Sequence, residues 1–160
     1  EENKMADNDL TTLGVKYGYA VETEAGKKPT AFKQLERCRE ISGISLSQEK
    51  IDLSCLEDSV KRYGKGQQDT GGDWSAKFLT GAITEVKAMM AAAAAGAKTG
   101  LNTWFEVYVP NMTDAWFIVA QPGDVLPLPD IGTNSALEMQ VALTIQEYKG
   151  LDVAIEPTKT

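Results

Sequence analysis

The chain of 160 residues suits one domain around one core, and with 42% hydrophobic and 24% charged residues it has the balance of a globular protein rather than of a disordered segment. Its net charge of −7 argues against a partner gripped through phosphates, whether nucleic acid or an anionic membrane surface, because such contacts need Lys and Arg. With no histidine and only two cysteines, Cys38 and Cys55, it lacks the commonest general base and metal ligand and cannot build a disulfide scaffold.

Residues 1–10 read as a polar, acidic arm without the apolar stretch of a signal peptide, and no run approaches the ~18 apolar residues of a membrane span. Val15, Tyr17, Tyr19 and Val21 fall at every second position, which predicts a strand. Residues 24–29 (EAGKKP) break it. Residues 35–53 are extended in character, with Ile41, Ile44, Leu46, Ile51 and Leu53 set among Ser and Gly. The alternation slips near Gly43, so this segment is either two strands or one long strand bent at a bulge. Residues 54–73 are rich in Gly and charge and almost devoid of apolar residues after Val60, the mark of a long functional or mobile loop. Residues 74–79 return to strand character.

Residues 83–97 form the one expected helix. Ile83, Val86, Met90, Ala93 and Ala97 make its stripe, and Gly96 or Gly100 ends it. Residues 103–109 and 115–121 read as a hairpin, apolar on both faces, which calls for a covering helix or a partner subunit. Pro122, Pro127 and Pro129 make residues 122–134 an irregular loop. In residues 136–148 the odd positions Leu137, Met139, Val141, Leu143 and Ile145 are apolar. The even positions Glu138, Gln140, Thr144 and Gln146 are polar, giving a strand with one buried face. About seven strands and one helix place the chain in the all-β class. The expected architecture is an antiparallel β-sandwich or small barrel with a flanking helix and a long loop at 54–73. The domain spans 11–150, between the arm at 1–10 and a tail at 151–160.

Chemistry-bearing patterns are sparse. The stretch YGKGQQDTGGD lacks the spacing of a phosphate loop and leads into no helix. The pair Glu57–Asp58 lies in a charged segment with no aromatic cleft beside it. Trp74, Trp104 and Trp116 could line a sugar-binding platform, although tryptophans more often anchor a core or an interface. Cys38 and Cys55 could pair with each other, but read more readily as buried free thiols of a reduced cytoplasm. No catalytic, cofactor or metal site is expected, and the chain reads as structural rather than enzymatic.

The segments LGVKYGYAVE, REISGISLSQEKIDLSCLED, RYGKGQQDTGGDW, WFEVYVPN with AWFIVAQP, and LEMQVALTIQEYKG resemble, in this order, the major tail tube protein of long-tailed, non-contractile (siphovirus-type) phages. The likeness covers roughly residues 10–150. It implies a β-sandwich with a flanking helix that forms hexameric rings. These rings stack into a hollow tube for DNA ejection, built in the bacterial host cytoplasm and carried in the virion tail. The resemblance also implies a tape measure protein and a tail terminator as partners, with double-stranded DNA in transit but not bound, and no membrane. In that setting the lumen-facing candidates are Glu138, Gln140, Thr144 and Gln146 of the last strand, with Glu40, Gln48 and Glu49 of the long strand. Their polar, acidic character would repel phosphate, and the outer tube surface is the rival location. Asp58, Lys61, Arg62, Tyr63, Lys65, Asp69 and Trp74 are the candidates for bridging subunits or rings, from a loop expected to be mobile when free and ordered on assembly. Two alternatives remain. One is a monomeric carbohydrate-binding β-sandwich, and the other is the tube protein of a contractile tail or secretion system.

Overall fold

A computed structural model describes residues 9–159, so residues 1–8 of the expected arm lie outside the described part. The chain order is β1 (Lys16–Val21), β2 (Lys33–Leu35), β3 (Cys38–Ile41), β4 (Ser47–Asp52), β5 (Tyr63–Asp69) and β6 (Asp73–Leu79). A 3-10 turn (Thr80–Ala82) then leads into α1 (Ile83–Lys98), followed by β7 (Thr103–Tyr108), β8 (Asp114–Pro122) and β9 (Glu138–Val153). Seven strands form one antiparallel sheet in the order β2-β1-β7-β8-β9-β6-β3, and β4 and β5 form a separate two-stranded hairpin. The class is all-β with a flanking helix, as the alternation predicted.

The sheet is not a closed barrel. Its two ends face one another because β9 changes partner halfway along. From Glu138 to Thr144 it pairs with β6, and from Leu143 to Val153 it pairs with β8. The ladder with β8 slips between Phe117 and Ile118 and again between Val119 and Ala120, leaving extra residues on β9. Bulges of this kind bend a strand and raise its twist, so one strand can serve two layers. Tyr17 of β1 lies second from one end of the sheet, yet its ring centroid is 5.6 Å from that of Trp74 and 5.7 Å from that of Phe78, both on β6, second from the other end. Phe105 of β7 stacks on Tyr17 at 5.8 Å and meets Trp74 edge-on at 6.0 Å. These aromatic rings are the centre of the core. Met139, Val141 and Leu143 face into the same core, in line with the odd-position face of the sequence.

Trp74 therefore corrects its own expectation as a bridging residue. It is 3% exposed, and its indole N–H donates to the Ser42 carbonyl oxygen at 2.8 Å. A large ring with one polar atom satisfied inside the fold belongs to the core.

The helix is present, but its buried stripe is turned from the expected one. Val86, Met89, Ala93 and Gly96 are buried, whereas Ile83 is 44% exposed and Ala97 faces out. A run of alanines favours a helix without choosing its face. Close contact chooses it, because a Cβ on Gly96 would lie 2.7 Å from Val21 Cγ1 of β1 and 3.2 Å from the Leu101 carbonyl oxygen. The helix ends at Gly100, at φ +80°. There the Leu101 N–H donates to the Gly96 carbonyl (2.8 Å) and the Gly100 N–H to the Ala97 carbonyl (3.2 Å), a Schellman arrangement.

The C-terminal residues are not a loose tail. β9 continues to Val153, and residues 154–158 then cross the second face of the sheet. The Ala154 N–H donates to the Thr113 carbonyl at 3.1 Å and the Ile155 N–H to Glu106 Oε2 at 3.0 Å. Thr158 pairs in parallel with β2 through N–H groups donated to the Phe32 carbonyl (3.0 Å) and from Gln34 (2.6 Å). Beneath this strap lie Phe32, Trp104, Ala115, Phe117 and Val119. The doubly apolar β7–β8 hairpin is thus covered on its second face by its own chain, through a register that no local pattern announces.

Gly96 tests this packing. Replacing it with Ala should raise helix propensity by roughly 1 kcal/mol but overpack the contact with β1 at a cost of about 1–3 kcal/mol. The thermal midpoint of Gly96→Ala should fall. A rise in a calorimetric scan would show that Val21 moves aside at little cost.

Candidate assembly surfaces

The polar candidates divide between two places that are separate in the fold. Gln140 and Thr144 are exposed on the outer face of β9, opposite Lys77 and Asp73 of β6, and Gln146 lies just past the end of the β6 pairing. Glu40 of β3 joins this face beside Lys77, with Lys77 Nζ 3.7 Å from Glu40 Oε1. Glu138, at the start of β9, is half-buried and pairs with Arg39 at 3.1 Å. The last strand read alone offers no cation before Lys149, but the assembled face carries Glu40, Asp73 and Glu138 against Lys77 and Arg39. It is a hydrated, nearly balanced surface, and cross-strand ion pairs take up much of the negative charge that the strand suggested.

Gln48 and Glu49 do not belong to this face. The expected long strand breaks into β2, β3 and β4, and β4 pairs only with β5. Gly43 and the residues around it leave the sheet instead of bulging within it. Gln48 Nε2 donates to the Gly66 carbonyl across the hairpin at 3.2 Å.

The expected long loop at 54–73 is in large part β5, which zips against β4 to make a projecting arm. All six residues of β4 are exposed. Glycines make the pairing close, since a Cβ on Gly66 would lie 2.8 Å from the Glu49 carbonyl oxygen. The tip is held by its own bonds. The Leu53 N–H donates to the Arg62 carbonyl (2.9 Å), the Arg62 N–H to Ser54 Oγ (2.8 Å), and the Cys55 N–H to Asp58 Oδ2 (2.7 Å). Asp58 is therefore spent in part on the turn. Asp69 likewise accepts from the Gly71 N–H at 2.9 Å. Lys61, Arg62, Tyr63 and Lys65 are exposed along the arm, with Lys50 Nζ 5.8 Å over the Tyr63 ring. The sequence reading missed the apolar character of the arm. Ile51, Leu53, Val60 and Tyr63 are each at least half exposed, and Leu56 is fully so.

A second apolar outcrop is the proline-bearing connection from β8 to β9, where Val125 and Leu128 are more than four-fifths exposed and Ile131 is 70% exposed. Between the β3 edge and the inner face of the β7–β8 hairpin lies an open cleft of about 660 Å³, lined mainly by Ile41, Trp74, Val107, Val109, Trp116 and Tyr148. The three tryptophans make no common platform. Trp74 and Trp104 are buried on opposite faces of the sheet, and of the three only Trp74, almost wholly covered, and Trp116 border the cleft.

Among the described residues no cluster of His, Cys, Asp or Glu could hold a metal ion, and no helix is long and apolar enough to cross a membrane. Both cysteines are free. Cys38 is half-buried, with burial pushing its thiol up to about 11, while Cys55 stands exposed on the arm, against the expectation that both are buried. Two buried carboxylates went unnoticed in the sequence. Glu22 accepts from the Trp104 indole N–H at 2.7 Å, and Glu106 has no exposed surface. The clue to Glu106 was its place inside the run WFEVYV, a charge in the middle of a strand apolar on both sides.

No protein-family model matches the chain, and no curated protein matches it. Among solved structures the chain is similar to a component of the anti-feeding prophage baseplate, determined by cryo-electron microscopy and six-fold symmetrised. The TM-score is 0.52 at 12% identity, over 92% of this chain and 99% of that one. At that identity the likeness speaks for a shared fold.

Proposed function

We propose that this chain is a structural component of a phage-tail-like particle, and more narrowly a tail tube subunit that joins identical copies into stacked hexameric rings. The observation that carries the reading is the arm β4–β5. It projects from the body with Leu53, Leu56, Val60 and Tyr63 bared, a surface with no partner within the described chain. Exposed apolar groups on an ordered hairpin mark a contact surface. The open cleft beside the β3 edge, where Ile41, Val107, Val109 and Trp116 stand with Arg39 and Glu40, is a partly apolar surface to which such an arm could dock. Beyond Ile145 the edge of β9 that had paired with β6 takes no strand among the described residues. Open edges are normally blocked or paired, and a head-to-tail contact that closes on itself does this by making a ring.

The shared fold with a component of a six-fold symmetrised baseplate supports a place in a ring assembly of that order. It also suits the second reading, the tube of a contractile tail or secretion system. The role is one of building rather than catalysis. The balanced, hydrated face of Gln140, Thr144 and Gln146 is suited to a lumen wall that leaves double-stranded DNA unbound, since it presents no free array of cations to phosphate. A tape measure protein within the tube and a terminator at its end are the partners this reading implies, and the particle would be assembled in a bacterial host.

Negative-stain microscopy of the concentrated protein should show rings or tubes. Leu56→Asp combined with Val60→Asp should leave the unfolding free energy within about 1 kcal/mol of the parent, because exposed sites contribute little to the fold. The same pair should abolish rings and shift sedimentation velocity to the monomer. Rings of normal abundance from that variant would remove the arm from the interface. Gln140→Lys with Thr144→Lys, introduced into the parent particle, should preserve assembly and slow DNA release. Undiminished infectivity would place this face outside the lumen.

A further inference from the structure

Glu106 stands in the middle of β7, opposite Gly18 of β1 and Phe117 of β8, with 0% exposure. Its Oε2 accepts the Ile155 N–H at 3.0 Å, and its Oε1 has no hydrogen-bond partner. A carboxylate in such a place has lost its water and received one donor in return, which disfavours the charged form. Glu22 supplies the contrast. Burial pushes its carboxyl up, but the Trp104 indole N–H (2.7 Å), the Asn102 N–H (3.0 Å), the Gly26 N–H (3.2 Å) and the charge of Lys149 outweigh it, and it stays below the usual range. At Glu106 burial wins over the Ile155 N–H and the charge of Lys28, and the carboxyl is pushed up to about 7.

The strap both covers this acid and supplies its one donor. Pro157 sits on β1 where Gly18 leaves room, since a Cβ there would lie 2.9 Å from Pro157 Cγ. Ile155 packs with the aromatic cluster of the second face. The strap's other attachments are few: Ala154 to Thr113, Thr158 to the β2 edge, and the Lys16–Glu156 ion pair at 2.6 Å. We infer that residues 154–158 form a releasable strap that closes over Glu106 while its carboxyl is protonated, and that loss of this proton, which leaves a poorly compensated charge buried beneath the strap, loosens the strap from the apolar face of Phe32, Trp104, Phe117 and Val119.

The charged groups on the surrounding elements do not replace the latch. Lys28 Nζ lies 4.0 Å over the Phe117 ring and is committed to Asp152 (3.2 Å) and the Val153 carbonyl (3.1 Å). Lys16 is paired with Glu156 on the strap itself. Lys149 lies over the Trp104 ring at 5.3 Å and pairs with Glu147 at 2.8 Å. Asp152 is held below its usual range by the Val153 N–H and by Lys28. Glu22 and Asp152 are thus shifted opposite to Glu106, so the proton taken up on closure falls to Glu106. With the strap open, water restores Glu106 to its ordinary value of 4.5, while the closed form keeps its proton up to about 7. Closure is strongest below the lower value, weakens as pH rises through the interval, and is level above the upper one.

Amide hydrogen exchange at Ala154, Ile155, Glu156 and Thr158, corrected for the intrinsic pH dependence of exchange, reads the opening equilibrium in the full chain. It should rise roughly ten- to a hundredfold between about pH 5 and about pH 8 in the parent protein. Glu106→Gln should flatten the profile. Gly18→Ala, which pushes on Pro157, should raise opening at every pH and keep the slope. A level profile in the parent, or the parental slope in Glu106→Gln, overturns the inference. If Glu106→Gln fails to fold, a carbon-13 titration of the Glu106 carboxyl in the parent protein decides the matter. Its midpoint should mark the upper end of the exchange transition, where the profile levels, and a carboxyl titrating in the ordinary glutamate range overturns the latch.

Discussion

The division of β9 between two partners is the constraint from which the rest of the molecule follows. A strand that pairs with β6 in its first half and β8 in its second must bend between them, and the two register slips against β8 supply the bend. That bend brings β6 back over β1 and encloses Tyr17, Trp74, Phe78 and Phe105. It also ends the β6 pairing at Thr144 and bares the edge of the rest of β9. Core and open edge are two consequences of one geometry, which is why a protein of this size can be both well packed and unfinished at its borders.

The second face of the sheet is organised differently. Instead of another layer it is covered by a narrow strap with few bonds. Trp104 and Phe117 beneath it supply apolar area, whereas Glu22 and Glu106 supply polarity of opposite kinds. Glu22 is surrounded by donors and holds the β1 end of the face together. Glu106 has a single donor, and that donor belongs to the strap. Buried polar groups are costly when partly satisfied, so the strap is the part of the fold whose hold depends most on conditions.

The projecting hairpin shows the same separation of duties. It adds little to the core, its strands pair only with one another, and its tip is braced by Ser54, Asp58 and backbone bonds. An arm braced by its own bonds presents Leu56 and Val60 away from the core, and each contact already formed within it reduces the ordering that association would cost. The mixed charges of Lys61, Arg62 and Lys65 beside those apolar residues give such a contact orientation as well as area.

Period-two alternation in residues 15–21 and 137–145 reported two strands and their inward faces, because side-chain direction along a strand is a local property, and residues 74–79 were legible as a strand. The helix and its glycine stop were likewise legible, as was the irregular course of the proline-bearing loop. Tertiary structure decided what depends on residues far apart in sequence. Val21 chose the helix face by its approach to Gly96. Pairing between β4 and β5 turned an apparent loop into an arm, since Gly- and Gln-rich β5 shows no alternation of its own. Arg39 and Lys77 reached the acids of neighbouring strands and balanced a face that read as acidic. Local sequence carries propensity and periodicity, while register, enclosure and charge pairing arise only when distant segments meet, and it is there that the candidate surfaces of this protein were made.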